Sequence, residues 1–302
     1  MKILLGITGG IAAYKACELA RMLIRAGHQV RACITDAGSR FITPLTLATL
    51  TGEPCFGANP EYHEWRPNPK VEHVDLAKWA DLIAVVPATA DIMGKTANGL
   101  ADDLLSTVLL AARGQVLWAP AMNHAMWRHP SVQVNLATLR GYGHLVVDPA
   151  VGFLAEGESG IGRLAELGDI FEAIQTFAGP KLAAFAGKKI LVTAGPTRED
   201  LDPVRTLTNR SSGSMGIEVA RALRNAGAQV RLVLGGDLPA PWGVETKRVR
   251  SAQDMLEACL GLWEGMDGLV AAAAVADQRP EECAREKVKK TDGQPRKTLS
   301  RG

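Results

Sequence analysis

The chain has 302 residues, with 34 Lys+Arg against 32 Asp+Glu and a formal net charge of +2. Hydrophobic residues make up 47% and charged residues 22%, which excludes an intrinsically disordered chain and sets the expectation of two domains, each large enough to bury a core. The near balance of charge removes the broad electrostatic case for nucleic acid or an anionic membrane as a partner.

In chain order, Lys2–Thr8 is a short apolar run that leads into Gly9-Gly10, too short for the apolar stretch of a signal peptide. A helical pattern follows from Ala12 to Ala26, with Ala16, Leu19, Ala20 and Leu23 on one face. Gly27 stops it as a C′ residue does, and Gln29–Thr35 is the next strand. Strand, glycine turn, helix and strand make one βαβ unit, whose crossover favours a parallel sheet. Further strands are predicted at Asp81–Pro87, Gln115–Ala119 and His144–Val147, and helices at Pro44–Leu50, Asp102–Ala112 and Ser131–Arg140. Such alternation predicts an α/β layered domain. The apolar runs Leu82–Pro87 and Leu269–Ala276 fall far short of the roughly 18 to 20 residues of a membrane span and read as buried strands.

The pattern restarts at Lys188–Thr193, closed by Ala194-Gly195-Pro196, with a helix at Gly216–Ala226 and a strand at Gln229–Leu234. Glu18–Arg31 can be laid over Glu218–Arg231, sharing Glu, Ala, Arg, Ala-Gly and Gln-Val-Arg. Duplication explains this, and so does the common need of any βαβ unit for an amphipathic helix, a glycine stop and a strand. The expectation is α/β: two Rossmann-like three-layer domains with mainly parallel sheets, the second incomplete. Phe177–Gly187 is the expected boundary, which gives domains 1–180 and 188–302. Five cysteines, Cys17, Cys33, Cys55, Cys259 and Cys283, show no CxxC spacing. They fit reduced thiols in the cytoplasm better than a disulfide framework or a zinc site.

Chemistry concentrates at strand ends. Gly6-Ile-Thr-Gly9-Gly10-Ile sits at a strand-to-helix turn, where backbone N–H groups and the helix dipole favour an anion. The GxGxxG spacing of a dinucleotide site is not met. His73 heads His73-Val-Asp-Leu-Ala-Lys-Trp, while Pro87-Ala-Thr-Ala-Asp91 and Pro120-Ala-Met-Asn-His-Ala-Met-Trp127 each follow a predicted buried strand. Taken singly, His73 is a loop histidine or a catalyst, Asn123 a turn former or a ligand to substrate, and Met122 and Met126 core or pocket.

Together, Gly9-Gly10-Ile-Ala-Ala-Tyr-Lys15, the His73 segment, PATAD and PAMNxxMW resemble the flavin-dependent cysteine decarboxylases, in that family's order, over most of residues 1–178. The resemblance implies FMN as cofactor and a trimer-based homo-oligomer with flavin sites at subunit contacts. It implies that Thr8, Gly9, Gly10, Ile11, Ala12, Thr35, Phe41, Pro87, Ala88, Thr89, Ser106 and Met122 lie around FMN. Flavin oxidises the C–S bond of the substrate's cysteine to a thioaldehyde, an electron sink beta to the carboxylate, and carbon dioxide leaves to give an ene-thiol. His73 is the implied base, and Asn123 holds the departing carboxylate by its amide. In the coenzyme A branch a cysteine within a segment like Ala-Cys-Gly-x-x-Gly-x-Gly-Arg donates a proton when the ene-thiol is reduced. Here Ala155-Glu156-Gly157-Glu158-Ser159-Gly160-Ile161-Gly162-Arg163 keeps the glycines and Arg163, a substrate-binding candidate, but has Glu156 at the cysteine position. Two expectations follow. Either Glu156 donates the proton, its pKa raised by burial, or the reaction stops at the oxidised ene-thiol, as in peptide-modifying relatives.

In the second half, Thr193–Arg205 leads into Thr208-Asn-Arg-Ser-Ser-Gly-Ser-Met-Gly216, a Ser/Gly cluster before a helix. By itself that is an anion site or an ordinary N-capped loop. Val270-Ala-Ala-Ala-Ala-Val-Ala-Asp277 and Glu286-Lys-Val-Lys-Lys290 follow. These stretches resemble the phosphopantothenate–cysteine ligase domain, so the whole sequence resembles the bifunctional decarboxylase/ligase family of bacterial coenzyme A synthesis. The resemblance implies 4′-phosphopantothenoylcysteine as the decarboxylase substrate, and 4′-phosphopantothenate, cysteine and CTP with Mg2+ for the ligase. Asn209 stabilises an acyl-cytidylate, Ala271, Ala272, Ala273, Asp277 and Lys287 contact CTP, and Arg205 lies nearby. Gln278 stands where the family usually has an aromatic residue. Members continue past Leu299-Ser-Arg-Gly302, so weak or no ligase activity is expected from these residues, with a dodecamer where a ligase dimer contact joins the trimers. Two other readings are an oxidative decarboxylase of peptide C-terminal cysteine and a flavin-binding regulatory protein. Retention of His73 and Asn123 favours catalysis.

Overall fold

A computed structural model describes residues 1–57, 71–153, 157, 159–179, 181–281, 283–287 and 299–301. The protein divides into two compact units, Met1–Phe177 and Ala178–Gly302.

In the first unit, β1 (Lys2–Ile7), β2 (Gln29–Ile34), β3 (Cys55–Phe56), β4 (Leu82–Ala88), β5 (Val116–Pro120) and β6 (Leu145–Val146) form one parallel sheet, ordered β3-β2-β1-β4-β5-β6. Every residue of β4 and β5 is buried. That explains their unbroken apolar sequence, since a parallel sheet covered on both faces has no polar side. The flanking helices are α1 (Lys15–Arg25), α2 (Asp36–Ser39), α3 (Pro44–Thr51), α4 (Glu72–Trp79), α5 (Ala90–Ala97), α6 (Leu104–Ala111), α7 (His124–Arg128) and α8 (Pro130–Gly141). A hairpin of β7 (Ala150–Phe153) and β8 (Ser159–Arg163) precedes α9 (Leu167–Ala178). Leu4, Val85, Trp118, Leu105 and Leu136 share one core cluster. Thr43, Thr89 and Asp103 cap α3, α5 and α6 with their side-chain oxygens, the usual way to satisfy the N–H groups at a helix start.

The five strands predicted for this unit lie where alternation puts them, within one or two residues, while β3, β7 and β8 are not among them. The helix predicted from Ala12 opens instead as a 3-10 turn, Ile11–Tyr14, that runs directly into α1. His73 is not in a loop but in the first turn of α4.

The second unit repeats the plan with a smaller parallel sheet. Its elements are β9 (Lys189–Ala194), β10 (Arg198–Asp200), β11 (Thr206–Thr208), α10 (Ser214–Asn225), β12 (Gln229–Gly235), β13 (Glu245–Val249), α11 (Ala252–Leu262), β14 (Gly268–Ala271), β15 (Gln278–Pro280) and β16 (Leu299–Arg301). Four of these form a parallel sheet ordered β13-β12-β9-β14, while β10 with β11 and β15 with β16 make antiparallel pairs. A Cβ at Gly216 would come within 2.5 Å of the Ala194 Cβ, so the glycine lets α10 lie directly on β9.

One expectation needs correction. The run Leu269–Ala276 is not a buried strand. Only its start belongs to β14, and Leu269 is 49% exposed. Among the described residues β14 pairs on one side only, with β9, so its outward residues stay in solvent. Among the described residues no helix is long and apolar enough to cross a membrane.

Candidate functional site

The order of the first sheet reverses between β1 and β4, and open α/β sheets bind ligands at such a switch point. A cavity of about 470 Å³ opens there, within the usual range for small-molecule sites. Its walls come from three strand ends: Gly9–Ala12 after β1, Thr89 and Ala90 after β4, and Met122, Asn123 and Met126 after β5. The β7–β8 hairpin supplies a fourth wall through Phe153, Gly162 and Arg163.

Local bonds fix these walls. The Thr8 hydroxyl, 2% exposed, donates to the Pro87 carbonyl at 2.7 Å and accepts from the Thr89 N–H at 3.1 Å. It therefore ties the ends of β1 and β4 together. Gly9 has no room for a side chain, because a Cβ would lie 2.5 Å from the Ala37 Cβ. Asn123 caps α7, its side-chain oxygen accepting from the Ala125 N–H at 2.7 Å, so the amide is held in one orientation. The 3-10 turn Ile11–Tyr14 starts at the cavity and runs directly into α1. With the glycine pair beside it, this end suits a phosphate, and the apolar remainder suits a flat ring system.

The structure brings together Gly9, Gly10, Ile11, Ala12, Thr89, Met122, Asn123 and Arg163 of the residues the sequence singles out. It does not bring His73, Thr8, Thr35, Phe41, Pro87, Ala88 or Ser106 to the cavity lining. Thr35 caps α2, accepting from the Gly38 N–H at 3.1 Å. Ser106, 1% exposed, completes a capping box with Asp103. Glu156 lies outside the described residues. Asp91 of PATAD pairs with Lys95, which also meets Asp102, each at 3.1 Å; the Asp102 hydrogen bond and charge raise the Lys95 pKa. Cys33 and Cys55 sit on adjacent strands and are no candidates for chemistry. Burial pushes the Cys33 thiol well up and the Cys55 thiol up to about 12, and a thiol held protonated is a poor nucleophile.

Sequence reasoning assigns no site role to the wall residues Lys15 and Phe153, and leaves Met126 open between core and pocket. For Lys15 and Met126 the signal is the spacing within GGIAAYK and PAMNHAMW. Phe153 carries none, because hairpin pairing brings it in.

In the second unit, Asn209 Nδ2 donates to the carbonyls of Ala274 and Val275 at 3.1 and 3.0 Å. That holds it beside a cavity of about 670 Å³ lined by Val275, Asp277, Arg279 and the first turn of α11. Ala271 ends β14, Ala272 and Ala273 follow it, and the Ala273 N–H donates to the Thr193 hydroxyl at 3.3 Å. Arg205 is held by the buried Asp202 carboxylate, its Nε at 2.8 Å and its Nη2 at 2.6 Å. Lys287 is exposed and does not line that cavity. A larger cavity, about 890 Å³, lies between the ends of β12 and β13 and α11. Its charges pair locally, Arg198 with Asp237 and Arg250 with Asp200, and none of the site residues predicted from sequence lines it.

Residues 1–179 match the Flavoprotein family, and residues 185–301 match the family described as DNA/pantothenate metabolism flavoprotein C-terminal domain. The coenzyme A biosynthesis bifunctional protein CoaBC of Vibrio parahaemolyticus is 44% identical over 299 residues, which covers 99% of this chain and 74% of that protein. A solved PPC decarboxylase mutant, complexed with pantothenoylaminoethenethiol, is 30% identical with a TM-score of 0.54, over 59% of this chain and 97% of its own. The FMN-dependent cysteine decarboxylase SpaF is 29% identical with a TM-score of 0.51, over 59% of this chain and 98% of its own. The protein therefore belongs to the CoaBC family of bifunctional coenzyme A biosynthesis proteins, in which a flavoprotein decarboxylase is fused to a ligase.

Proposed function

We propose that the first unit, taken as 1–180, converts 4′-phosphopantothenoylcysteine to 4′-phosphopantetheine with FMN in the cavity of about 470 Å³. The observation that carries this reading is the meeting of Gly9-Gly10, Thr89 and Met122-Asn123 at the switch point of the sheet. FMN, when bound, supplies the two-electron oxidation that turns the substrate's thiol-bearing carbon into an electron sink. Gly9–Ala12 would hold its phosphate, and Thr89 and Met122 would lie beside its ring. Asn123 commits its oxygen to the Ala125 N–H, so the carboxylate falls to its donor end, Nδ2. Arg163 adds a positive charge for the acidic substrate. Glu156 donates the proton that completes reduction of the ene-thiol. The PPC decarboxylase neighbour was solved with pantothenoylaminoethenethiol, an ene-thiol, in keeping with this order of steps.

His73 moves the proton, as imidazole does near neutrality. Because it does not line the cavity of its own protomer, the reading assigns it to the site of a neighbouring copy in a trimer-based homo-oligomer. Ile11 and Tyr14 beside the glycine pair are 62% and 59% exposed, and an apolar rim of that kind supports a subunit contact. The second unit, taken as 188–302, is of the ligase type that joins 4′-phosphopantothenate to cysteine at the expense of CTP, with weak or no turnover expected of it. Cysteine's amine displaces CMP from an acyl-cytidylate that Asn209 stabilises, with Asp277, Lys287 and Ala271–Ala273 on the nucleotide and Arg205 close by. Mg2+ arrives with the triphosphate. Both reactions belong to the cytoplasm.

The test is a flavin titration followed by turnover. His73→Ala and Asn123→Ala variants should bind FMN as the wild type does and fail to release carbon dioxide. Mixed oligomers of the two should regain part of the activity, because each supplies what the other lacks. Normal turnover by either variant alone would overturn the assignment. For the second unit, at most weak CMP release with CTP, Mg2+, cysteine and 4′-phosphopantothenate is expected; robust CTP-dependent joining of cysteine would overturn that expectation.

A further inference from the structure

We propose that His124 is a positioning residue for the decarboxylase: its imidazole latches the β7–β8 hairpin onto the loop that carries Asn123. The proposal rests on reading the first-unit cavity as the decarboxylase site.

His124 opens α7 directly after Asn123, yet it does not line the cavity. Its ring contacts β8 instead. The Ile161 N–H donates to His124 Nδ1 at 3.1 Å, and the Ile161 carbonyl lies 3.2 Å from the same nitrogen. With the ring proton on Nε2, Nδ1 accepts from the Ile161 N–H; with the proton on Nδ1, it donates to the Ile161 carbonyl, so the ring has a partner on Ile161 in either tautomer. The neighbours of Ile161 are shaped to this contact. A Cβ at Gly160 would lie 2.7 Å from Nδ1, so glycine is what lets the imidazole in. One residue on, the Gly162 carbonyl accepts from the Met122 N–H at 3.0 Å, and a Cβ at Gly162, whose φ is 146°, would collide with the Met122 carbonyl.

Three consecutive residues of β8 thus lie against residues 122–124. Of the contacts named, the His124 imidazole is the side chain and the rest are backbone. What the latch holds in place is catalytic in this reading. Met122 and Asn123 on one side, and Gly162 and Arg163 on the other, all line the cavity. Losing the imidazole leaves Met122 and Gly162 as the remaining tie, and Arg163 swings with the hairpin. The FMN contacts at Gly9–Ala12 and Thr89 belong to other strand ends, and Met122 keeps its own bond to the Gly162 carbonyl, so the flavin contacts stay in place. The loss therefore appears in the affinity for the acidic substrate, with flavin content unchanged.

The chemistry of the latch sets the test. An Asn side chain puts an oxygen near the Nδ1 position, whereas Leu offers no acceptor. His124→Leu should raise KM for 4′-phosphopantothenoylcysteine about tenfold, the scale of one directed hydrogen bond, with FMN absorbance and Tm close to wild type. His124→Asn should restore KM to within about threefold of wild type. Gly160→Ala, whose methyl meets the imidazole, should raise KM similarly. Hydrogen exchange at the Ile161 amide, followed in the FMN-loaded protein, reports the latch without turnover. It should quicken in His124→Leu and slow again in His124→Asn. Unchanged KM in His124→Leu, or an Asn variant as poor as the Leu variant, would each overturn the proposal. A wild-type protein with no decarboxylation overturns the functional reading and the positioning role with it, and Ile161 exchange then shows separately whether the latch itself exists.

Discussion

Thr8 is buried, and its hydroxyl spans the ends of β1 and β4 through Pro87 and Thr89. Thr8→Val keeps the shape and removes both bonds. It leaves the Thr89 N–H without this acceptor, which costs about 1–3 kcal/mol, so a lower Tm and weaker FMN binding by fluorescence titration are expected. Asn123 separates two roles that alanine confounds. Asn123→Asp keeps the oxygen that caps α7 and removes the amide donor. Its Tm should stay near wild type while kcat falls about 100-fold or more, the scale for losing one directed donor to developing charge. A fall in Tm with kcat intact would contradict the assignment. At this scale the sequence is informative where a residue type has one use. Gly9-Gly10 and Asn123 are legible as strand-end groups, because glycine admits close backbone approach and an amide offers a fixed donor. Thr8 and Ser106 are legible only as neighbours of the flavin, since a hydroxyl serves a backbone bond as readily as a ligand. The structure uses both for backbone bonds. His124 carries no sequence signal at all, because its partner is a backbone amide 37 positions away.

The capping box at the start of α6 joins the Asp103 carboxylate to the Ser106 N–H at 2.7 Å and the Ser106 hydroxyl to the Asp103 N–H at 3.0 Å. Asp103→Ala should lower stability by about 1 kcal/mol, read as a drop in Tm, with little change in flavin affinity. The long elements are legible in sequence because period and punctuation agree. Gly27 follows α1 and Gly227 follows α10, each with positive φ, and β4 is apolar throughout because both its faces are covered. The β7–β8 hairpin is not legible as strands. It is short, rich in glycine and half exposed, so its pairing depends on tertiary contact rather than on a two-residue alternation. The Leu269–Ala276 run misleads for the opposite reason: its composition is that of a buried strand, but it lies at a sheet edge.

Across the whole molecule, acid should act unequally on the two units. In the second, Arg250 bonded to Asp200, Arg198 bonded to Asp237, the Ser251 N–H on Asp254 and the Lys189 N–H on Asp267 each hold a carboxyl below its ordinary value of 3.8. A carboxyl depressed on folding stabilises the fold above that ordinary value, and the contribution is lost as pH falls through the folded value. In the first unit the shifts oppose one another. Lys95 depresses Asp102, while burial raises Asp169. Below pH 3.8, pepsin should therefore cut within residues 185–287 before it cuts the first sheet, and added salt should narrow the difference because these pairs are exposed. First cuts in the first sheet would contradict this. Two α/β units were legible from the restart of the strand, glycine, helix pattern at Lys188; that His73 stays out of the cavity lining was not, since that depends on how α4 packs against the strand ends. The most direct test of the central claim is anaerobic incubation of the FMN-loaded protein with 4′-phosphopantothenoylcysteine, followed by the mass of the product. A product lighter by carbon dioxide alone is the predicted result and marks a complete cycle of oxidation, decarboxylation and reduction. A product lighter by two further hydrogens means that decarboxylation ends at the ene-thiol and that Glu156 does not take the cysteine's place. Unchanged substrate, with flavin bound, would contradict the account.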